Sequence, residues 1–582
     1  MSRGPRGEAF VGVVERRGRF RVVEPLFERG GQVPLERGKL EAHPGRMLLA
    51  EPSGRGARPV RLLGSPKRAR DVVEAILWEG LGRRGFAGKV EEDARASPET
   101  AGDVDPTRRD LRELATFTVD PATARDFDDA VSAQADGDGI RLWIHIADVS
   151  AHVRPGSALD REAARRATSV YVPGLVEPML PPALSDEACS LVPGVDRLAV
   201  TVEVRLDGSG AVRSAGFYRS RIRSDARLEY GQLDAIFGGN DEPPAKVAEP
   251  LALARRAASD LAAARKIGAL EIESFEPEFD FDSDGTPVAA RGVPQTEAHR
   301  LIEHLMILAN ESVAAHLERR KAITVYRVHE QPDPDRVQHL LDQLAALDVP
   351  TPATKKRIAP SEAGRLVGEA SRLVAGEARR RGHGRDAWGS LVLRSLKQAY
   401  YSPQNLGHAG LGSTAYAHFT SPIRRYPDLI AHRALLHSIG AGEDEPDGTE
   451  VREGAVHSSD RERDAVRMER RADRVCAGFL LERELFERGW ETRFDGEVSG
   501  VVGAGAFIRF AGELGDVYEG FLPARVLRGE RFDLNETETA LVGRRTGRAV
   551  SLGDPIAVTV SSVEPPRGRC DLDPAYDGDR ST

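Results

Sequence analysis

The stretch TFTVDPATARDFDDAV, residues 116–131, sets four carboxylates, Asp120, Asp126, Asp128 and Asp129, within ten residues. Ionised carboxylates at close range raise one another's pKa unless a cation compensates, so the cluster asks for one. Hard oxygen donors select magnesium, manganese or calcium over softer metals. An EF-hand is the first rival, yet that calcium loop needs a central glycine and a closing glutamate, and DPATARDFDDAV has neither. The other alternative is a solvated acidic turn. Apolar runs on both sides favour a loop at the end of buried strands, where function tends to sit.

Outward from this loop, AVSAQ and IRLWIHIADVSAHV read as two strands joined by the turn DGDG, a hairpin signal. The segments VAEPLALARRAASDLAAARKIGALEI, EAHRLIEHLMILANESVAAHLERR and YPDLIAHRALLHSI carry apolar residues at three-to-four spacing and are expected as helices. The acidic, aperiodic stretch GAGEDEPDGTEVREGAVHSSD is expected as a solvated loop or insertion. Upstream, FVGVVERR, RFRVVEP, RMLLAEP and RPVRLLG alternate with turns in the manner of a small barrel, followed by a helical connector. Downstream, from about Thr492, a second small barrel is expected, with Phe494, Phe507, Phe510, Tyr518 and Phe521 either filling its core or offering stacking faces to unpaired bases. The fold class is therefore α+β. The expected domains are an N-terminal OB-like barrel at 1–65, a connector at 66–96, a large mixed catalytic domain at 97–482 and a C-terminal OB-type barrel at 490–576.

Composition bounds the function classes. A chain of 582 residues with 40% hydrophobic and 30% charged residues reads as a multi-domain globular protein. No apolar run approaches the roughly 20 residues of a membrane span, and MSRGPRGEAF lacks the apolar core of a signal peptide, so a cytoplasmic protein is expected. Cys189, Cys476 and Cys570 are far apart and odd in number, which suggests reduced, packed thiols rather than disulfides or a zinc site. The net charge of −9 does not advertise a nucleic-acid binder, but polyanions respond to local fields.

A magnesium ion held by such a cluster engages substrate phosphate and activates water, which makes phosphodiester hydrolysis the natural chemistry. The scissile phosphate would then need a cationic partner. AYAHFTSPIRRYPDLIAHRALL supplies Arg424 and Arg425 after a Ser-Pro turn and before a helix start.

Four motifs, VDPATARDFDDAV, VYVPGLVEPMLPPALSDEACSL, HRLIEHLMILANESVAAHL and LRSLKQAYYSPQNLGHAGLGSTAYAHFTSPIRRYPDLIAHRAL, occur in that order between residues 97 and 482, and together they resemble the catalytic RNB domain of the ribonuclease II superfamily, most closely its ribonuclease R branch. The resemblance implies cold-shock-type and S1-type OB barrels on the flanks. It implies a processive 3′-to-5′ exoribonuclease that uses magnesium to hydrolyse single-stranded RNA to nucleoside 5′-monophosphates, with no membrane or DNA partner expected and a monomeric state. By motif, Asp120 and Asp129 match magnesium ligands, Asp128 the carboxylate most sensitive to loss, and Asp126 a supporting position at both metal and substrate. Arg424 matches the arginine that steadies the scissile phosphate, and Arg425 its basic, RNA-facing neighbour. Tyr171 and Tyr326 match the aromatic pair that clamps 3′-terminal bases, and Phe507, Tyr518 and Phe521 are the candidate RNA-stacking rings of the last barrel. His145 and Asp148 fall in a family motif and read as supporting residues. A family glutamate in the late helix corresponds to Met468 or Glu469, depending on register.

The sequence departs from the family upstream, where only one convincing barrel fits, and at the C-terminus, where no Lys-rich tail follows; both put degradation through duplexes in doubt. Two alternatives remain open: a catalytically inactive RNB-type RNA-binding regulator, and a metal-dependent phosphodiesterase acting on DNA or small nucleotides. The retained aspartates and Arg424 weigh against the first. The S1-like barrel and the paired tyrosines weigh against the second.

Overall fold

The computed structural model describes residues 9–576 except 29, 37–39, 55, 102–106, 266–274, 355–357 and 528. At its centre lies a seven-stranded sheet whose order is Ala226–Glu229, Phe117–Asp120, Asp129–Asp136, Gly139–Ala147, Asp196–Leu206, Val212–Arg223 and Arg109–Asp110. The outermost pair at each edge is parallel, and the interior pairs are antiparallel. The DGDG turn closes a hairpin in which Asp136 faces Gly139, with Gly137 at φ +64°, a left-handed conformation that glycine adopts without steric cost.

Side chains on one face of this sheet, Phe117, Val119, Val131, Ala133, Ile140, Leu142, Ile144 and Ile146, alternate along their strands and pack with the helices Ala248–Arg265 and Glu297–Arg320. The opposite face carries a fully buried polar chain. Thr116 Oγ1 and Ser132 Oγ lie 2.8 Å apart, Ser132 Oγ and His145 Nε2 3.2 Å, His145 Nδ1 and Thr201 Oγ1 2.9 Å, and Thr201 Oγ1 and Ser220 Oγ 2.6 Å. Burial lowers the His145 pKa to about 3, so the ring is a neutral link in this chain.

The helix Tyr426–Ser438 is buried on all sides from Tyr426 to Leu436, because it passes between two cores. Leu429 and Ile430 join the core around Phe127, Leu184 and Leu191, while Ala431, Ala434, Leu435 and Leu436 join the core above the sheet. Among its polar residues, Arg433 Nη2 donates to Asp160 Oδ1 at 2.8 Å, and His432 Nε2 lies 2.8 Å from Phe419 O while its ring stacks on Phe419 with centroids 4.0 Å apart.

The expected helices are present at Glu297–Arg320 and Tyr426–Ser438, and at Ala248–Arg265 for the part of the third that falls within the described residues. The acidic stretch is corrected from Gly448 onward. Asp447 caps a 41-residue helix, Gly448–Arg488, accepting from the backbone N–H groups of Thr449 and Glu450 at 2.8 and 3.0 Å. Val451, Ala455, Ser458 and Ser459 are buried at helical spacing within what reads locally as a polar segment. This helix runs alongside the catalytic region and both terminal barrels. Arg471 pairs with Glu79 at 3.3 Å, and Glu484 accepts from Glu513 N, Leu514 N and Tyr518 Oη at 2.8, 3.1 and 3.0 Å.

The N-terminal strands form one five-stranded sheet in the order Val33–Pro34, Phe20–Pro25, Phe10–Arg17, Met47–Ser53 and Gly56–Gly64. A bridge between Leu35 and Ala57 brings its two edges together, giving the barrel expected there. The C-terminal strands Phe494–Val502, Gly505–Phe510, Tyr518–Pro523, Arg569–Pro574 and Pro555–Glu564 close a second barrel. Phe494, Phe510 and Tyr518 lie inside it at 1–3% exposure. Tyr518, expected as a stacking face, is thereby corrected to a core residue with its hydroxyl tied to Glu484. Phe507, 38% exposed, and Phe521 pair on the barrel surface with centroids 5.2 Å apart. The three cysteines are buried free thiols, and among the described residues no helix is long and apolar enough to cross a membrane.

Candidate active site

The four aspartates meet at one end of the central sheet because the chain leaves it at Asp120, the last residue of one strand, and re-enters at Asp129, the first of the next. The loop between is held from both sides. Arg227 Nη2 donates to the carbonyls of Pro121 and Ala122 at 2.9 Å each, and its guanidinium lies 5.0 Å from the Phe127 ring centroid. Phe127 is buried in the core, its N–H donating to Ser190 Oγ at 3.0 Å and its carbonyl accepting from Leu191 N at 3.0 Å. Anchoring the apolar residue fixes the carboxylates on either side of it.

Asp128, 4% exposed, accepts from Ile423 N at 2.8 Å through Oδ1. Its Oδ2 is buried without a hydrogen-bond partner, and the nearest cation, Arg424 Nε, is 3.5 Å away. Burial drives the Asp128 pKa well above the ordinary carboxylate value, with Arg424 and the Ile423 N–H opposing. Asp120, 9% exposed, likewise leaves Oδ2 buried and unpartnered, and burial together with the Asp129 charge raises its pKa to about 8. Asp129 is half-buried at the residue level, but burial of its carboxyl still dominates and raises its pKa to about 6. Asp126 is half-buried and accepts from Tyr171 Oη at 2.7 Å.

Two buried carboxylate oxygens without partners, in a cluster of four acids, are what a divalent cation would satisfy. Among the described residues no three His, Cys, Asp or Glu side chains are already drawn together into a metal cage. Unpartnered carboxylate oxygens are the donor type of a hard ion that takes one or two carboxylates and completes its shell with water and phosphate.

The turn that brings the arginines is built into this site. Ile423 N–H grips Asp128, Arg424 O accepts from Ser169 N at 3.0 Å, and Ala167 O accepts from Tyr426 N at 2.9 Å. These bonds tie the arginine turn to the strand Val170–Val172, which carries Tyr171. The Arg424 side chain is 43% exposed, with Nη2 donating to Ser421 Oγ at 3.0 Å. Arg425 is turned inward: its side chain is 19% exposed and Nη2 donates to Asp428 Oδ1 at 2.8 Å.

Tyr171 presents an exposed ring beside the carboxylates, with its backbone N–H donating to Glu469 Oε1 at 3.0 Å. That contact places Glu469 of the late helix beside the strand of Tyr171. Glu469 faces the site, whereas Met468 is buried in the core that joins the helix Ala69–Leu81 to the long helix. Tyr326 does not present an open face. It is 4% exposed in a small core with Ala314, Val328 and Ala417, so the expectation of a ready stacking ring there is corrected: its strand, Tyr326–Val328, buries both Tyr326 and Val328. His145 is a link in the buried polar chain of the sheet, and Asp148 is bound by cations of the fold itself. Arg108 Nη2 and Arg219 Nε lie 2.7 and 3.2 Å from Asp148 Oδ2, and Ser150 Oγ donates to Oδ1 at 2.6 Å.

Sequence reading missed Tyr230. Its ring stacks on His299 at 4.0 Å, and its hydroxyl is close enough to Asp129 and Asp120 for their charges to add to the upward push of burial on its pKa. RLEYGQL carries no local signal for that proximity.

The RNB-domain family model matches residues 108–440 of the 582. Ribonuclease R of Aquifex aeolicus is 36% identical over 529 residues, covering 88% of this chain and 72% of that protein. Ribonuclease R of Escherichia coli is 36% identical over 493 residues, covering 82% of this chain and 57% of that protein, so the chain spans little more than half of the latter. The structure of Mycoplasma genitalium RNase R in complex with ribose methylated single-stranded RNA superposes with a TM-score of 0.86 at 24% identity, over 98% of this chain and 90% of that one, a likeness of fold. With the family match across more than half its length and these relatives beside it, the chain belongs to the RNB-domain ribonucleases, in their ribonuclease R branch.

Proposed function

We propose that this protein is a magnesium-dependent, processive 3′-to-5′ exoribonuclease that hydrolyses single-stranded RNA to nucleoside 5′-monophosphates and serves RNA decay and processing in the cytoplasm. The observation that carries the reading is the pair of buried, partnerless carboxylate oxygens, Asp120 Oδ2 and Asp128 Oδ2, beside a half-exposed Arg424. A chain that had given up catalysis would be free to replace or neutralise those costly groups.

Asp120, Asp129 and Asp126 would hold magnesium, which when bound lowers the pKa of its water and draws charge from the phosphate oxygens. The chain's own residues do the rest. Arg424 keeps guanidinium N–H groups at the surface to pair with a non-bridging phosphate oxygen, and its charge grows in value as negative charge accumulates there. Asp128 is held by Ile423 N–H with its second oxygen turned to Arg424, which fixes the arginine and the carboxylate in one register. Tyr171 offers a face on which any base can stack, so the terminal phosphate is placed without regard to sequence, and its hydroxyl bond to Asp126 sets the ring's distance from the acids. Attack by water on phosphorus breaks the bond to the 3′-oxygen of the preceding nucleotide. A nucleoside 5′-monophosphate leaves, and the shortened strand carries a new 3′-hydroxyl. The exposed ring of Phe507 and its partner Phe521 on the last barrel would guide the strand upstream.

The test is hydrolysis of a 5′-labelled single-stranded RNA with magnesium or with EDTA, beside a matched DNA oligomer and a duplex with a 3′ overhang. Accumulation of one short labelled end product only with magnesium, with mononucleotides released, is expected. Equal cleavage of DNA would overturn the RNA assignment, and a stable complex without product would favour an inactive RNA-binding regulator.

A further inference from the structure

Beneath the arginine turn lies a carboxylate that the chemistry above does not use. Asp428 is fully buried in the first turn of the helix Tyr426–Ser438. Its Oδ1 accepts from Ser421 N at 2.8 Å and from Arg425 Nη2 at 2.8 Å, while Oδ2 has no hydrogen-bond partner. The Ncap residue of this helix, Arg425, makes no side-chain cap, and the Asp428 carboxylate in the first helical turn, where the dipole favours negative charge, reaches back across the preceding turn to its first residue. Ser421 O accepts from Arg425 N at 2.9 Å and from Arg424 N at 3.3 Å. Between these ties sit the two groups that reach the active carboxylate: Ile423 N–H on Asp128 Oδ1, and Arg424, whose Nη2 is aimed by Ser421 Oγ. A single buried oxygen thus holds both ends of a five-residue turn whose middle carries the phosphate-facing guanidinium.

We propose that Asp428 and Arg425 form a positioning pair for Arg424, and that Arg425 acts through this pair rather than by contacting RNA. The proposal rests on the exoribonuclease reading and assigns a division of labour within it. Of two adjacent arginines, the half-exposed one meets substrate and the inward one clamps the turn that presents it. The side chains argue for this directly, since Arg425 spends its charge on a fully buried carboxylate and Arg424 keeps 43% of its side chain exposed.

The experiment measures two quantities on full-length protein: the single-turnover rate on a single-stranded RNA with magnesium, and the Kd for the same RNA in EDTA. Asp428→Asn and Arg425→Gln are each expected to slow the chemical step by about 10- to 100-fold, the scale of a misplaced catalytic group. Each should leave Kd within about fivefold of wild type, less than roughly 1 kcal/mol. In an Arg424→Ala background both should add little, because a misaimed side chain that is absent has nothing further to lose. Losses that multiply fully with Arg424→Ala would overturn the proposal. So would an Arg425→Gln defect that lies wholly in Kd, the mark of a direct RNA contact. Should circular dichroism show that Asp428→Asn is unfolded, Arg425→Gln carries the test alone, since it breaks the pair from its other side, and a wild-type single-turnover rate in it would overturn the proposal. A wild-type protein with no activity at all would overturn the reading beneath the proposal, and the proposal with it.

Discussion

Two buried aspartates of the same domain, twenty residues apart, are treated in opposite ways. Asp148 is surrounded by Arg108, Arg219, Ser150 and the Ala151 N–H, so its carboxyl is held far below the ordinary carboxylate range although burial alone would raise it. Asp128 has one backbone N–H and an arginine at 3.5 Å, and its carboxyl is pushed up. The chain supplies the first with its cations and leaves the second short. An acid that only holds the fold together is paired within it, whereas Asp128, placed in the carboxylate cluster, keeps a desolvation cost that its one N–H and the more distant arginine do not offset.

The contrast fails or stands on exchange of the two groups. Asp128→Asn should lower hydrolysis by about 10³-fold, as the loss of a preorganised charge does, with RNA binding in EDTA retained. Retained turnover would dislodge the assigned site. In metal-free buffer the same variant should unfold within about 1 kcal/mol of wild type or later, because it removes an uncompensated charge. Asp148→Asn should do the reverse, costing about 3–5 kcal/mol in denaturant unfolding by stranding two buried guanidinium groups. Magnesium sharpens the difference further. At a hundredfold over its Kd it should stabilise the wild type by about 2.7 kcal/mol, measured as a shift in thermal unfolding, and that gain should vanish in Asp120→Asn.

The pH dependences should run in opposite directions. The folded pKa of Asp120 lies above its unfolded value, so metal-free protein loses this group's contribution as pH rises from the ordinary carboxylate range through about 8. The folded pKa of Asp148 lies below its unfolded value, so its contribution is present above the ordinary range and lost as pH falls through the folded value. Thermal unfolding in EDTA from pH 5 to 9 should therefore show a decline for wild type that flattens in Asp120→Asn. The smallest effect belongs to Tyr171→Phe, which keeps the stacking face but loses the hydroxyl bond to Asp126. It should cost about 1 kcal/mol, read as a few-fold change in Kd or KM.

Much of this arrangement is legible in the sequence, and the particular residues show why. The carboxylate loop is placed by the apolar runs on both sides of it, whereas the burial of Phe127 that anchors it shows only in the structure. DGDG announces its turn, and EAHRLIEHLMILANESVAAHLERR announces its helix, through local rules. The long helix was obscured at Gly448 because its first turns bury small residues, Ala455, Ser458 and Ser459, that give no apolar stripe. Tyr326 and Tyr518 look like open rings in the sequence because the inward or outward side of a barrel or short strand depends on register with distant partners. Tyr230, stacked on His299, and Glu469, beside Tyr171, take their places through contacts between segments tens to hundreds of residues apart, which no local pattern encodes.

The helix Gly448–Arg488 has a mechanical consequence. At 1.5 Å per residue, its 41 residues make a rod about 60 Å long. Along its length it touches Glu79 beside the first barrel, the backbone of Tyr171 through Glu469, and the second barrel through Glu484. A single stiff member therefore joins both barrels to the strand of Tyr171, so a displacement of either barrel would be passed along the rod to that tyrosine and, through its hydroxyl, to Asp126.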